Sequence, residues 1–325
     1  PASPHSSPTD AVYVLGDENV DTDEYDDSVI AHEWGHYFQD AFSRDDSFGG
    51  SHSLSDRLDL RVAFSEGWGD AFSGMATGKS LYQDAQGTQQ ASGSCSGLES
   101  DTQFANCGVS ANPGWYNEIS VERVLWDFYD SANDGPDTVS LGFAPIYTVM
   151  HNEMLSTRAV TSIYPFAAAL KARNATSSAA IDAILAAQSI HVTDEWATGE
   201  SNDAGDASIL PIYIPASAPG TINNVCSDTT FGVENKIGVS KFLKFSLSAD
   251  RSVTITATRA SGTASTDPDL ELYGAGLVAS GEPSTPNSEI LTKSLPAGTY
   301  VVEVYEYSNT TTTPKGHTCF NVNFN

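Results

Sequence analysis

Residues 26–42 read DDSVIAHEWGHYFQDAF, and this stretch decides how the N-terminal part of the chain folds. The polar DDS at its start is typical of a helix N-terminus, and the apolar side chains that follow recur at helical spacing, which predicts a helix over about 27–43. His32 and His36 are four positions apart and therefore share one face of that helix, with Glu33 between them. This HExxH spacing is typical of a catalytic zinc site.

A second motif, SEGWGD at residues 65–70, supplies the third ligand that such a site needs. Glu66 follows His36 by 30 positions. Two histidines and one glutamate form a common ligand set of catalytic zinc, whose fourth position is left to water or substrate. Asp70 lies one helical turn beyond Glu66, and we expect its carboxylate to accept a hydrogen bond from the second ring nitrogen of His32 and so to orient that ring.

The second motif lies on a predicted helix that starts near Ser55 and ends at Gly74 or Gly78. A glycine inside a helix costs about 1 kcal/mol relative to alanine. Gly67 and Gly69 therefore predict that another backbone packs very close to this helix. The HEWGH helix is the expected neighbour.

These motifs resemble those of the gluzincin metallopeptidases, the thermolysin-like and fungalysin-like families. HEWGH matches their HExxH, and EGWGD at 66–70 matches their downstream ExxxD, being especially close to the fungalysin-type EGWxD. The match covers roughly residues 11–130 and begins with AVYVLG at 11–16, which predicts a strand. A metzincin would need glycine and histidine where this chain has Gln39 and Phe42. The resemblance implies a zincin-like fold and zinc endopeptidase activity on proteins or peptides.

The resemblance also implies a histidine or tyrosine downstream of Glu66 that stabilises the oxyanion. Tyr116 is the favoured candidate, because it lies where a loop rich in Gly, Pro and Asn enters an apolar-periodic helix, and His151 is its rival. The alternative is that Tyr116 only packs the helix start against the core. His52, in GGSHSLSDR, is expected to shape the cleft or to cap a helix.

Two classes of function fit these motifs. In the first, the chain is a secreted zinc endopeptidase in which Glu33 is the general base that takes a proton from the zinc-activated water. In the second, it is an adhesion or substrate-binding protein that retains a zincin fold without turnover. An inactive relative is expected to lose the base or a ligand. His32, Glu33, His36 and Glu66 are all present, which favours the enzyme.

The charge of the chain argues against nucleic acid and membrane partners. Its 42 acidic residues face 15 basic ones, for a formal net charge of −27 over 325 residues, and such a surface repels polyanions. No apolar run approaches the roughly 18 residues of a membrane span. The densest carboxylate run, DENVDTDEYDD at 17–27, lacks the spacing of an EF-hand loop. We interpret it as a capped, solvated loop, with calcium as an optional second cofactor.

Four cysteines indicate disulfides and an oxidising compartment. Cys95 and Cys107 bracket a short polar loop, while Cys226 and Cys319 stand near the two ends of the C-terminal region. Three connectivities are open, and pairing within each region keeps each bridge inside one domain. The chain starts PASPHSSPTD without an initiator Met, as expected of a processed form. We therefore expect a secreted, extracellular protein.

The predicted secondary structure changes from helical to strand-rich near residue 215. Helical patterns dominate residues 1–214, whereas residues 215–325 are rich in Ser and Thr, alternate as in FLKFSLSADRSVTITATRA, and predict a β-sandwich. The expected fold class is α+β with two domains, a mainly helical zincin-like catalytic domain followed by an all-β sandwich domain. The segment ILPIYIPASAPGT at 209–221 is the expected linker, stiffened by its prolines.

The C-terminal region resembles the pre-peptidase C-terminal type of domain that is appended to secreted bacterial peptidases. The similarity lies in KFLKFSLSADRSVTITAT, DPDLELYGAG and LPAGTYVVEVYEY, and it covers almost all of residues 220–325. It implies a role in secretion, stability or attachment to insoluble substrate. Asp267 and Asp269 are candidates for a calcium site, with turn capping as the alternative.

Overall fold

The computed structural model describes residues 5–6, 11–98, 112–132, 135, 137–281 and 286–325 of the chain. The helices in these ranges are α1 (Asp27–Phe42), α2 (Leu60–Thr77), α3 (Glu118–Tyr129), α4 (Phe143–Ser156), α5 (Ile163–Arg173) and α6 (Ser178–Ala187). The strands are β1 (His5–Ser6), β2 (Ala11–Val12), β3 (Leu81–Gln86), β4 (Ser92–Gly97), β5 (Tyr213–Pro215), β6 (Gly220–Ser227), β7 (Lys241–Leu247), β8 (Arg251–Ser261), β9 (Pro268–Gly274), β10 (Gly276–Gly281), β11 (Ser288–Leu295), β12 (Gly298–Glu306) and β13 (Thr318–Phe324). No helix in the described ranges combines the length and the hydropathy of a membrane span.

Helix α1 contains the HEWGH motif and begins where the sequence predicts. Asp26 occupies the N-cap position, but its side chain makes no capping bond to the helix. Its carboxylate instead accepts a hydrogen bond from the backbone N–H of Ala85 at 2.8 Å. The helix therefore starts at the predicted polar stretch without a side-chain cap from Asp26, because β3 presents a backbone donor at the same place. This contact ties the start of α1 to the hairpin of β3 and β4.

Helix α2 starts five residues later than the sequence predicts, because residues 53–56 close a turn of their own. Asp59 caps the helix by accepting a hydrogen bond from the N–H of Arg61 at 2.9 Å. The predicted start near Ser55 is therefore wrong. The predicted end is confirmed, since Gly78 adopts a φ of +70° directly after the last helical residue, a conformation that favours glycine.

Helices α1 and α2 approach each other closely at glycine residues. A Cβ atom on Gly69 would lie 2.8 Å from the His32 ring, and Trp68 donates its indole N–H to the carbonyl of Gly35 at 2.9 Å. A Cβ atom on Gly67 would instead lie 2.7 Å from a side chain of α3. The expectation that the HEWGH helix is the close neighbour is confirmed for Gly69. It is wrong for Gly67, because α3 packs on another side of α2.

Helices α2 to α6 enclose an apolar core that extends into the C-terminal part of the chain. Side chains from four strands belong to the same cluster of buried residues. They are Tyr213 of β5, Phe242 of β7, Tyr273 of β9 and Val301 of β12. The helical part and the strand-rich part therefore share one core where they meet.

The strands after residue 210 form two sheets. One has the order β10-β9-β12-β7-β5 and the other has the order β11-β8-β13-β6. Apolar side chains from both sheets enclose a second core, as in a β-sandwich. Neighbouring strands are antiparallel except β5, which runs parallel to β7. The predicted β-rich C-terminal region is confirmed, and the fold contains both helices and sheets.

Two local expectations differ from the structure. Within 209–221, residues Tyr213–Pro215 form β5 at the edge of the first sheet, so this stretch is not a free linker. Pairing with β7 supplies its backbone hydrogen bonds. Of the strand predicted over 11–16, only Ala11–Val12 is a strand. The predicted domain boundary falls inside β5 and stays a prediction.

Candidate metal centre

His32, His36 and Glu66 converge where α1 and α2 meet. The Nε2 atoms of His32 and His36 lie 2.9 Å apart, and each lies 3.4 Å from Oε2 of Glu66. Nitrogen and oxygen ligands of a tetrahedral zinc ion at about 2.0–2.2 Å lie about 3.3 Å from one another. Both contacts to Glu66 have this spacing, so one ion can be shared by all three atoms.

The second ring nitrogen of each histidine is already engaged. Nδ1 of His32 lies 2.7 Å from Oδ1 of Asp70, which is the contact that the sequence predicts. Nδ1 of His36 lies 3.2 Å from the Ser65 hydroxyl, which itself donates to Asp45 at 2.9 Å and so accepts from the ring. Both Nδ1 atoms are therefore N–H donors, and neutral rings direct their Nε2 lone pairs toward each other. At 2.9 Å, the two Nε2 atoms are close enough to share one proton or one metal ion.

The electrostatics of the centre favour positive charge. Burial alone would raise the pKa of Glu66, but the neighbouring histidines, His36 first, hold it well below its usual range. Burial alone would lower the pKa of His32, yet the carboxylates of Asp70 and Glu66 raise it well above its usual range. Both shifts arise because a carboxylate and imidazole nitrogens are in contact away from water. Glu66 is therefore anionic, as a metal ligand must be.

Glu33 lies beside this cluster on α1 and is 9% exposed. Its charge contributes to the raised pKa values of His36 and Tyr82, so it lies within electrostatic reach of both. Tyr82 belongs to β3, and its ring centroid lies 5.7 Å from that of His32. Burial, together with the surrounding carboxylates, raises the pKa of Tyr82 well above its usual range. Its hydroxyl therefore stays protonated at neutral pH.

A third histidine, His52, reaches the same carboxylate from the loop before α2. Its Nε2 lies 3.6 Å from Oε2 of Glu66 and 3.2 Å from Oε2 of Glu118, the first residue of α3. Its Nδ1 lies 3.0 Å from the carbonyl of Gly50 and donates to it. Burial raises the pKa of Glu118 to about 8, against the attraction of His52. Sequence reasoning does not connect these two residues, since neither shares a motif with the ligands.

The two predicted oxyanion donors point elsewhere. The hydroxyl of Tyr116 lies 3.2 Å from Oδ1 of Asn202, which lies on the segment after α6. Nδ1 of His151, on α4, lies 2.8 Å from the carbonyl of Phe42 at the end of α1. The structure thus brings neither side chain to the cluster, and Tyr116 packs the start of α3 as in the alternative reading. His52 and Tyr82 are there instead.

A buried carboxyl lies behind Asp70. Glu122 of α3 is 0% exposed and accepts a hydrogen bond from the Ser96 hydroxyl at 3.0 Å. Burial raises its pKa well above the usual range, and the neighbouring charge of Asp70 adds to the shift. Burial beside a second carboxyl group therefore favours the protonated form of Glu122. The contact of Oδ1 with Nδ1 of His32, at 2.7 Å, keeps the Asp70 side chain directed at that ring.

The acidic loop contains a second group of carboxylates. Oxygen atoms of Asp21, Asp23 and Asp84 lie within 4.8 Å of one another. Burial and the neighbouring Asp23 raise the pKa of Asp21 to about 6. The interpretation as a solvated loop is wrong for Asp23, which is 4% exposed. The calcium prediction stays a prediction, and within the described ranges Asp267 and Asp269 belong to no comparable cluster.

One of the two expected disulfides is present in the described part of the chain. Cys226 is bonded to Cys319, which confirms that pairing and joins the neighbouring strands β6 and β13. Cys107 lies outside the described residues. The bridge between Cys95 and Cys107 therefore stays a prediction.

Comparison with known proteins gives only partial likenesses. No family model matches the chain, and no curated protein matches it. Among solved structures, the pre-peptidase C-terminal domain of a collagenase from Bacillus anthracis is 14% identical, with 35% of this chain and 94% of that chain covered at a TM-score of 0.27. The surface-associated copper-binding protein CorA of Methylomicrobium album BG8 is 10% identical, with 35% and 98% covered at 0.26. A periplasmic inhibitor of g-type lysozyme from Aeromonas hydrophila is 10% identical, with 34% and 96% covered at 0.21. These TM-scores are too low to carry weight, so the β-sandwich rests on the strand pairing alone.

Proposed function

We propose that the chain is a secreted zinc-dependent peptidase of the gluzincin type, which hydrolyses peptide bonds with Glu33 as general base. The observation that carries this proposal is the convergence of two imidazole nitrogens, from His32 and His36, on one carboxylate oxygen of Glu66. Asp70 supports it by holding the His32 ring from behind, as is usual for metal-binding histidines.

The chemistry of the three ligand atoms fits zinc. Imidazole nitrogens with a single carboxylate suit zinc, whereas calcium and magnesium prefer sites made entirely of oxygen. When bound, zinc lowers the pKa of a coordinated water toward about 7 and polarises the scissile carbonyl. A set of three protein ligands leaves room for that water, as catalytic sites require.

The residues around the ligands have separate tasks in this proposal. Glu33 takes the proton of the attacking water and passes it to the leaving amine. Asp70 accepts the Nδ1–H of His32 and so keeps Nε2 of that ring directed at the ligand point. The neutral hydroxyl of Tyr82 is the donor that we assign to the oxyanion in place of Tyr116, because its ring packs against His32 and its proton is retained at neutral pH.

The same proposal includes the setting in which the protein works. Residues 1–214 form the gluzincin-like catalytic domain, and residues 215–325 form a domain of the pre-peptidase C-terminal type. The Cys226–Cys319 disulfide is the kind of bond that persists outside the cytoplasm, which supports an extracellular location. The protein or peptide substrate follows from the gluzincin-type assignment, and the formal charge of −27 disfavours polyanions as ligands.

Zinc analysis combined with hydrolysis of casein tests the metal mechanism. We expect the purified protein to contain stoichiometric zinc and to cleave casein. Removal of zinc with phenanthroline is expected to abolish cleavage, and added zinc is expected to restore it. Cleavage that survives complete zinc removal would sink the metal mechanism.

The variant Glu33→Gln tests the assigned base. It keeps the shape of the side chain, so zinc content is expected to stay at the wild-type level, while turnover falls by about 10²–10⁴-fold. Asp40→Asn, at an exposed position of the same helix, is the matched control and is expected to keep full turnover. A fully active Glu33→Gln variant refutes the base. A wild-type protein that binds zinc but cleaves no substrate supports the adhesion or substrate-binding alternative.

A further inference from the structure

We propose that the C-terminal sandwich supplies a positioning element for the metal centre. The β6–β7 loop, residues 228–240, holds the His52 loop, residues 48–59, so that the His52 ring faces Glu66. The meaning of this contact rests on the proposed function, since Glu66 is assigned there as a metal ligand. The two loops are distant in sequence, with 186 positions between Gly49 and its partner, and they meet only because the two parts of the chain pack together.

Asn235 is the central contact between the two loops. It is 0% exposed, and its Nδ2 donates to the carbonyl of Gly49 at 2.9 Å. Its backbone carbonyl accepts from the N–H of Asp59 at 2.8 Å. One buried residue of the sandwich therefore bonds to both ends of the His52 loop. A polar side chain at such a buried site is costly unless these bonds are made, so the geometry is well determined.

Lys236 adds a charged contact to the same junction. Its Nζ donates to the carbonyl of Ser51 at 3.0 Å and lies 3.3 Å from Oδ2 of Asp56. The same Nζ donates to Oδ1 of Asn235 at 2.5 Å, which orients that amide toward Gly49. Ser51 directly precedes the histidine. A bond to its carbonyl therefore restricts the peptide that carries the imidazole.

The β6–β7 loop is itself fixed to the sheets. The N–H of Asp228 donates to the carbonyl of Gly238 at 2.9 Å, which closes the base of the loop. The N–H of Glu234 donates to the carbonyl of Asn309 at 2.9 Å. Asn309 is 0% exposed and donates its side chain to the Ser227 hydroxyl at 2.9 Å. These hydrogen bonds therefore fix the β6–β7 loop to the sandwich, and that loop in turn fixes the His52 loop.

The contact sets the direction of the His52 ring. Gly50 adopts a φ of +102°, and its carbonyl accepts from Nδ1 of His52. A Cβ atom at Gly50 would lie 3.1 Å from Nδ2 of Asn235, so the loop needs a glycine both for conformation and for space. With Nδ1 engaged, Nε2 faces the carboxylates of Glu66 and Glu118.

The other half of the His52 loop has a separate anchor. Asn117, at the N-cap of α3, donates its side chain to the carbonyl of Leu54 at 3.0 Å. Loss of the Asn235 side-chain bond to Gly49 therefore loosens the half that contains His52, while Asn117 still holds the other half. Groups that contact a metal ligand from outside typically change metal affinity by about 10- to 100-fold, so the effect should be measurable.

A double-mutant cycle on zinc affinity tests the proposal, with affinity measured by competition against a chromophoric chelator. We expect His52→Ala and Asn235→Ala each to weaken zinc binding by about tenfold. The double variant is expected to be no weaker than His52→Ala, because Asn235 acts through His52. Asn323→Ala is the matched control, since this sandwich asparagine donates to Thr221 instead, and it is expected to keep wild-type affinity.

Wild-type zinc affinity in Asn235→Ala overturns the proposal, and so do single effects that multiply in the double variant. If Asn235→Ala does not fold, Lys236→Met takes its place with the same expectation, and Lys293→Met on β11 is its control. These measurements need no turnover. A protein that binds zinc without cleaving peptides thus contradicts the proposed activity and leaves the positioning role standing.

Hydrogen exchange over residues 49–59 in zinc-free protein gives a second readout. We expect faster exchange in Asn235→Ala than in wild type, because the side-chain bond to the carbonyl of Gly49 is lost and the first half of the His52 loop is held less firmly. Faster exchange with unchanged zinc affinity shows that the β6–β7 loop stabilises the His52 loop without affecting the metal centre. That result overturns the positioning role. A wild-type protein that binds no zinc overturns both proposals. Hydrogen exchange then still reports whether the β6–β7 loop holds the His52 loop in place.

Discussion

Replacing Arg61 by methionine is expected to destabilise the fold by about 3 to 5 kcal/mol, which is the usual cost of removing one partner from a buried ion pair. Arg61 is the second residue of α2 and is 1% exposed. Its guanidinium donates to both oxygens of Glu303 on β12 at 2.6 Å, and to Asp59 at 2.9 and 3.0 Å. Burial would lower the pKa of Arg61, but Asp59 and Glu303 raise it well above its usual range.

The expected loss of stability comes mainly from the two buried carboxylates, Asp59 and Glu303, that remain in Arg61→Met without their cation. Methionine fills most of the arginine volume, so the cavity term is small, but two carboxylates lose their cation away from water. The double variant Arg61→Met with Glu303→Leu removes one of these carboxylates and is expected to be more stable than Arg61→Met alone. Arg259→Met, at an exposed position of β8, is the control and is expected to unfold like wild type.

Urea unfolding followed by tryptophan fluorescence measures the free energy of unfolding for the four proteins. A domain of ordinary stability has about 5 to 15 kcal/mol in total, so the expected loss is a large fraction and shifts the midpoint clearly. Arg61→Met with wild-type stability refutes the reasoning. A double variant that is less stable than Arg61→Met also refutes it, because the stranded carboxylate would then not be the source of the cost.

Three further changes test the metal centre. Asp70→Asn is expected to weaken zinc affinity by about 10- to 100-fold in a chelator competition, since the amide no longer offers His32 a charged acceptor. Gly69→Ala is expected to lower the zinc content of the folded protein, because its Cβ atom would lie 2.8 Å from the His32 ring, and metal analysis checks this. Tyr82→Phe is expected to lower kcat by about 10²–10³-fold at unchanged zinc content. Tyr307→Phe, at a residue 52% exposed, is the control for kcat, and full turnover in Tyr82→Phe rules out the donor role.

Local patterns are enough to predict the proposed ligands. His32 and His36 share a face because a helix brings residues four apart together, and Glu66 with Asp70 repeats that spacing on the next helix. The end of α2 is equally local, since Gly78 marks it through its backbone conformation. The strands of the C-terminal region can be predicted for the same reason, because strand alternation involves only neighbouring residues.

Local patterns fail for the residues that complete the centre. Tyr116 stands at a suitable junction of loop and helix, but Asn202 binds its hydroxyl. Tyr82 reaches the His32 ring from a hairpin, and Ser65 contacts His36 from within the second motif. None of these contacts has a spacing in the sequence that would predict it.

The sequence by itself determined the two motif-bearing helices and the β-rich C-terminal region, whereas the Cys226–Cys319 pairing was one of three open connectivities until the structure joined β6 and β13. Only the tertiary structure decided that the sandwich shares a core with the helices, that Arg61 bonds to Glu303, and that Asn235 holds the His52 loop. The physical reason is the sequence separation of the residues that determine each feature. Helix and strand periodicity depend on residues a few positions apart. A contact across 186 positions depends on how all the apolar surfaces of the chain pack together, and that packing cannot be read from any one segment.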